Sequence, residues 1–304
     1  MRTPVTLSGA LALAAGLTLT SLATTAPRVH AQAGDRERTM FVSAVDSKGE
    51  PVEGLTPADF IITEDGRRRE VLRVSRAIEP IDIALVIDNS ASATPAISSI
   101  REGLKSFVAK MAEGNAIALI AIADRPTVLV DYTSDVKRLS DGIGRLFAMA
   151  GSGMTLLDAL VEVSTGLQRR ERPRAVIVPV ITDGVEFTNR YYRDVNAAVD
   201  KAGAALHAVA IGSFYVTDDT SRERAFVLDM GTKDTGGQRV TLLADSAVTQ
   251  ALQKLARELS SQYKVVYGRP ESLIQPEKIE VSSGKVGVTV RGRSARGQGS
   301  TRTP

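Results

Sequence analysis

The 304 residues are 43% hydrophobic and 24% charged, an ordinary globular composition with enough apolar chain for one large core or two smaller ones. Net charge is only +3, and the excess sits at the ends: setting aside Arg2, Arg28, Arg291, Arg293, Arg296 and Arg302 takes the remainder to −3, which excludes the basic face that a nucleic-acid partner would need. With no cysteine, the chain has no disulfide framework, lipidated cysteine, thiol catalysis or Cys-based zinc site.

In chain order, Arg2 comes first, ahead of an apolar stretch at 7–22 softened by Ser and Thr, and V-H-A and A-Q-A then end at Ala31 and Ala33. This is the secretory signal pattern, with cleavage expected after residue 31 or 33. A spanning helix needs about 20 strongly apolar residues, and this stretch is short and rich in Ala, Gly and Thr. Residues 1–33 therefore read as a removable leader. The mature chain is expected in a periplasm or outside the cell, with no stable membrane insertion.

The segment 37–79 reads as β-structure, with strands at 39–45, 60–63 and 71–77 separated by Gly and Pro turns. Arg67, Arg68 and Arg69 stand between acids, Glu64 and Asp65 before and Glu70 after, and so read as a solvated strand-turn surface rather than a phosphate site. From 80 to 261 apolar strands alternate with amphipathic helices, the order of a doubly wound, mostly parallel α/β sheet. Strands are expected at 81–87, 116–123, 127–132, 175–181, 205–211 and 239–243. Helices are expected at 95–111, 136–147, 156–167, 193–202 and 247–259. The runs IALVI and AVIVPVI are apolar without alternation, as strands buried on both faces should be. His207, in AALHAVAIG, reads as a core histidine, and His30 would leave with the leader. Strands follow at 263–267, 278–281 and 285–291 within a C-terminal β segment, 262–292, and a basic tail without ordered structure is expected at 293–304. Neither flank alone has enough strands for a stable core, so the two are expected to pair as one small β-module with the central domain inserted between its halves.

In such sheets ligands bind where strands end in loops at the carboxyl edge. Asp88 follows the first central strand in VIDNSASA, Asp183 follows another in VITDGVEF, and Thr155 enters a helix in AGSGMTLLDAL. These segments can converge. Two carboxylates in one cleft repel each other unless a cation neutralises them, and Ser90, Ser92 and Thr155 add neutral oxygens, so Mg²⁺ fits best, with Mn²⁺ or Ca²⁺ possible. Each hydroxyl also has a plainer reading: Ser92 or Thr94 could cap the helix entered through Pro95, and Thr155 with Asp158 resembles a capping pair.

In these residues the chain resembles the von Willebrand factor type A family, whose metal-ion-dependent adhesion site is spelled DxSxS, then Thr, then Asp. Here the set would be Asp88, Ser90, Ser92, Thr155 and Asp183, within a resemblance spanning 81–261. Ala91 and Ala93 stand where Gly and Met are frequent in the family. The flanks, VDSKGEPVEGLTPADFIITEDG and QYKVVYGRP, resemble those of exported bacterial proteins related to the family. The resemblance implies that Ser90, Ser92 and Thr155 touch the metal, while Asp88 and Asp183 hold it largely through waters or by bonds that change with state. A partner protein's acidic residue would complete the shell, and the protein would be a binding module and not an enzyme. Two other readings remain open: a metal-dependent hydrolase or phosphatase using Asp88, which usually wants a second acid where this chain has Ser90, and an interaction scaffold without metal.

Overall fold

The computed structural model describes residues 35–270, 274, 276 and 278–294. The expected leader, with its cleavage sites and His30, and the tail beyond Ser294 lie outside the described residues. Among the described residues no helix is long and apolar enough to cross a membrane.

Strands β1 (Asp35–Val45), β2 (Phe60–Glu64), β3 (Arg67–Arg69) and β4 (Val71–Arg76) precede the α/β domain. The domain then runs β5 (Ile81–Ile87), α1 (Ile97–Met111), β6 (Ala116–Ala121), β7 (Thr127–Thr133), α2 (Val136–Gly144), α3 (Leu156–Arg170) and β8 (Arg174–Thr182). It continues through α4 (Tyr192–Lys201), β9 (Ala204–Leu206), β10 (Ala208–Ile211), α5 (Asp219–Phe226), α6 (Thr232–Asp234), β11 (Arg239–Leu242) and α7 (Val248–Ser260). Strands β12 (Tyr263–Pro270), β13 (Ile279–Ser283) and β14 (Thr289–Ser294) follow.

The central sheet has the order β11-β10-β8-β5-β6-β7, with β9 beside β8. All its pairings are parallel except β6 with β7, a tight hairpin that adds an antiparallel edge. Every residue of β5 and β8 is buried, because helices cover both faces. One face packs Ile83, Leu85 and Ile87 against α1, α2 and α7; the other packs Ala84 and Val86 against α3 and α4. Each fully buried Ile, Val or Leu contributes about 1.5–3 kcal/mol relative to exposure.

The expected strand at 205–211 is divided at His207. Pro179, in the middle of β8, has no N–H to give, so the ladder lapses opposite it while the register stays the same on both sides, Ile177↔Leu206 and Val180↔Val209. His207 is buried, with its N–H bonded to the Ile177 carbonyl. Helix α2 also stops earlier than the pattern suggested: Arg145 leaves helical geometry, which puts Leu146 and Phe147 in the loop above the site.

The two flanks share one antiparallel sheet of order β14-β1-β12-β4, in which β1 pairs with β12 from Asp35↔Pro270 to Val42↔Tyr263. A second sheet, β13-β2-β3, includes the arginine run as β3. Met40, Val42, Phe60, Ile62, Val265 and Tyr267 fill the core of this module. Strand β14 starts later than expected and runs through Arg293 and Ser294, two residues into the expected tail, where the Arg293 guanidinium bonds Asp200 at 2.9 Å. Arg291 likewise reaches buried Glu258 at 2.8 Å, and Arg257 makes a two-pronged pair with Glu50 at 2.9 and 3.0 Å. The module is thus bound to α4 and α7 by ion pairs.

Candidate functional site

At the end of β5 the chain runs into Asp88, fully buried, whose two oxygens are both engaged. Oδ1 accepts the Ser90 N–H at 2.8 Å, a local turn typical of Asp. Oδ2 accepts both the N–H and the hydroxyl of Thr182, at 3.0 and 2.5 Å, across from the end of β8. The Ser90 and Ser92 hydroxyls lie 2.8 Å apart, and Ser92 Oγ lies 2.7 Å from Thr182 Oγ1. Asp88, Thr182, Ser92 and Ser90 therefore form one string of oxygens at the end of the apolar strand.

Neither plainer reading of the hydroxyls holds. Helix α1 starts from Ala96 with no side-chain cap, and Thr94 bonds back to the Ala91 carbonyl. Thr155 precedes α3 without capping it, its hydroxyl donating instead to the Ile122 carbonyl at 2.9 Å, and Asp158 pairs with Arg190. Thr155 is buried in a loop stitched to its neighbours: its own N–H reaches Ile122, Met154 N–H reaches Val185, and Phe187 N–H reaches Met154.

Asp183 stands apart from Asp88 in environment. It is exposed, and its Oδ2 accepts the Ser213 N–H at 3.1 Å, beyond the end of β10. The mutual repulsion expected of the two carboxylates is thus offset by separate sets of donors. Asp88, Ser90 and Ser92 share one bonded string; Thr155 and Asp183 flank it on adjoining loops, each turned to its own partner.

Four residues that sequence reasoning did not single out complete the arrangement. Thr182 joins Asp88 to Ser92. Asn89 ties three loops together, accepting from Ala123 N–H at 2.9 Å, donating to Phe147 O at 3.1 Å, and receiving the Met149 N–H on its own carbonyl. Arg224, buried, donates to the Gly184 carbonyl and so holds the turn just after Asp183; burial draws its pKa down, against the pull of Glu186 and Asp88. Glu186 is buried with the Thr188 hydroxyl on Oε1 at 2.6 Å and, among the described residues, no hydrogen-bond partner on Oε2. Burial pushes its pKa up to about 7, opposed by Thr188, Arg224 and the Leu157 N–H at the start of α3. The one legible signal was Thr182, a polar residue closing an apolar strand.

The donor set is all oxygen, two carboxylates with hydroxyls, and among the described residues no group of three or more His, Cys, Asp or Glu could hold a metal instead. Glycine makes the space: a Cβ on Gly184 would lie 2.0 Å from Ser92 Oγ, and one on Gly212, at φ +106°, would lie 2.5 Å from Asp183 Oδ2. Such a cradle fits a small, hard divalent cation.

Fold and cleft together define a doubly wound α/β domain with an oxygen-lined site at the carboxyl edge of its sheet. Residues 83–186 match the family model of the von Willebrand factor type A domain, and the chain carries a domain of that family. No curated protein matches the sequence. Among solved structures, a von Willebrand factor type A protein from Catenulispora acidiphila is 11% identical with a TM-score of 0.50, over 86% of this chain and 74% of that one. Proximal thread matrix protein 1 from the mussel byssus is 13% identical with a TM-score of 0.52, over 65% of this chain and about half, 51%, of its own. These likenesses concern the fold.

Proposed function

We propose that this is an exported binding protein whose type A domain engages a partner protein through a divalent cation, Mg²⁺ or else Mn²⁺ or Ca²⁺, held by Asp88, Ser90, Ser92, Thr155 and Asp183. The observation that carries the reading is the string from Asp88 through Thr182 to Ser92 and Ser90, facing a glycine where any side chain would fill the space. Ser90 and Ser92 would hold the ion through hydroxyl oxygens. Thr155 keeps lone pairs for the same purpose while donating to Ile122. When bound, the cation supplies an electrophilic position that a carboxylate from the partner can take. Asp88 would act mainly as a buried negative charge, since both its oxygens already accept hydrogen bonds. That engagement, with Ser90 where a phosphoryl-transfer enzyme usually wants an acid, favours binding over hydrolysis.

Equilibrium binding of Mn²⁺ and Mg²⁺, followed by pull-downs from the native envelope in Mg²⁺ and in chelator, tests the reading. The expected result is capture in Mg²⁺ that is lost in chelator and lost in Thr155→Ala, a substitution that changes no charge. Equal capture by Thr155→Ala, or capture undiminished in chelator, would overturn it.

A further inference from the structure

The loops around the cluster carry apolar side chains in solvent. Phe147 and Met149 are 63% and 46% exposed on the loop bonded to Asn89, Val185 and Phe187 are 64% and 59% exposed just after Asp183, Tyr215 is 75% exposed two residues after the Ser213 that binds Asp183, and Leu243 is 90% exposed beyond β11. Isolated exposed apolar residues need no explanation, but a concentration on the loops of one polar cleft marks an interaction surface. Two of these loops, 146–155 (LFAMAGSGMT) and 212–217 (GSFYVT), carry no charged residue at all.

The rim is also held in place. A Cβ on Gly153 would lie 2.6 Å from the Phe187 ring, so the ring is seated on the glycine, and the Arg101 guanidinium lies 4.4 Å from the Phe147 ring centroid. Backbone bonds from Met149 to Asn89 and between Met154, Val185 and Phe187 fix the loops themselves. A surface ordered before binding loses less entropy on association.

Charge decides the occupant. The cleft calls for one anionic group at the cation, and around it loops 146–155 and 212–217 carry no charge of their own to offer a second, while the Arg101 guanidinium is already engaged by the Leu146 carbonyl and the Phe147 ring. A charged residue beside that acid would be stripped of water against Phe187 or Tyr215 without a partner, whereas apolar or aromatic residues would bury their surface there and supply the contacts that dominate interfaces. We infer that these loops form an apolar collar that selects a protein segment whose acidic side chain is flanked by apolar or aromatic residues. The inference rests on the metal-site reading above.

The test uses the protein with a displayed library of random dodecapeptides, bound in Mg²⁺ and eluted with chelator. The expected clones carry an acidic residue with apolar or aromatic neighbours. Synthetic peptides from them should bind Val185→Ser/Tyr215→Ser/Leu243→Ser about tenfold or more weakly, while this variant binds Mn²⁺, followed by electron paramagnetic resonance, like the parent protein. Acid-bearing clones with no apolar preference, or peptides that bind the triple variant as tightly as the parent, would overturn the collar and leave the metal site standing. Apolar clones that stay bound through the chelator wash and are released only by a subsequent acid elution would overturn the metal site instead. An absence of any enriched clone would overturn both.

Discussion

Glu186→Gln should stabilise the metal-free protein above pH 7 and leave it unchanged near pH 4.5. The Glu186 carboxyl is 5% exposed, and its pKa stands at about 7 against 4.5 for the free side chain because burial disfavours the charge. Between those values the unfolded chain is ionised at this residue while the folded one keeps its proton. Folding therefore takes up a proton, and stability falls as pH rises through the window, levelling off above 7. At about 1.4 kcal/mol per pH unit the gap amounts to about 3 kcal/mol. His207 acts in the opposite sense. It is 1% exposed, and burial draws its pKa from 6.5 to about 4, so between those values the unfolded chain holds the extra proton and stability rises with pH, again by about 3 kcal/mol. The two slopes nearly cancel in the parent protein between pH 4.5 and 6.5. Glutamine keeps the shape and can still accept the Thr188 hydroxyl, so the variant leaves the His207 slope unopposed. Urea unfolding from pH 4.5 to 8 in chelator measures the difference, expected to grow from near zero to about 3 kcal/mol, roughly 6–12 °C in melting temperature. A difference that stays constant across that range would refute the argument, because a packing or hydrogen-bonding change has no reason to follow pH.

Asp88→Ala should destabilise the metal-free protein by about 2–4 kcal/mol in urea unfolding, because the Ser90 and Thr182 N–H groups lose their acceptor in a buried place; a gain in stability would show that repulsion between Asp88 and Asp183 outweighs those bonds. Gly184→Ala should stay folded by circular dichroism and bind Mn²⁺ at least about tenfold more weakly, since its Cβ would lie 2.0 Å from Ser92 Oγ, and that much free energy is a small part of what a divalent ion loses with a ligand displaced. Arg291→Ala should cost about 3 kcal/mol and speed limited proteolysis of the C-terminal strands, because it leaves Glu258 buried with, among the described residues, Gln238 as its remaining side-chain hydrogen-bond partner; proteolysis at the parent rate would show the junction to be held elsewhere.

The α/β domain was legible where one physical signal dominated. Strands β5 and β8 are apolar throughout because both faces are covered, and α1 shows its apolar stripe in Ile100, Leu104, Phe107 and Met111. Helix α5 showed no such stripe: its sequence, DTSRERAF, is mostly polar, and it starts from a capping box between Asp218 and Ser221 rather than from an apolar face. The lapse at His207 was unreadable in its own strand, because the missing donor is Pro179 on a neighbour. In the same way Asp88, Ser90 and Ser92 could be found as a string of letters. Thr182, Asn89 and Arg224 matter through contacts across 34 to 94 positions of chain, as in Asn89 to Ala123, Arg224 to Gly184 and Thr182 to Asp88, and no local pattern records those.

These long-range contacts also bear on what a cation would contribute. The loops around the cleft are tied by backbone and side-chain bonds that need no ion: Asn89 to Ala123, Phe147 and Met149, Met154 to Val185 and Phe187, and Asp183 to Ser213. An ion at a concentration equal to its dissociation constant adds only RT ln 2, about 0.4 kcal/mol, to stability, which is less than one ordinary hydrogen bond. A fold tied in this way would be complete before an ion bound. Most of the ion's binding free energy can then go into its affinity and its open position, because little is consumed in ordering loops. A cation site built this way would respond to a partner and not to the folding of its own chain. That is why mutations that spare Asp88, Ser90, Ser92, Thr155, Asp183 and Gly184 but alter the exposed apolar side chains of the surrounding loops should change which partner is held while leaving metal affinity in place.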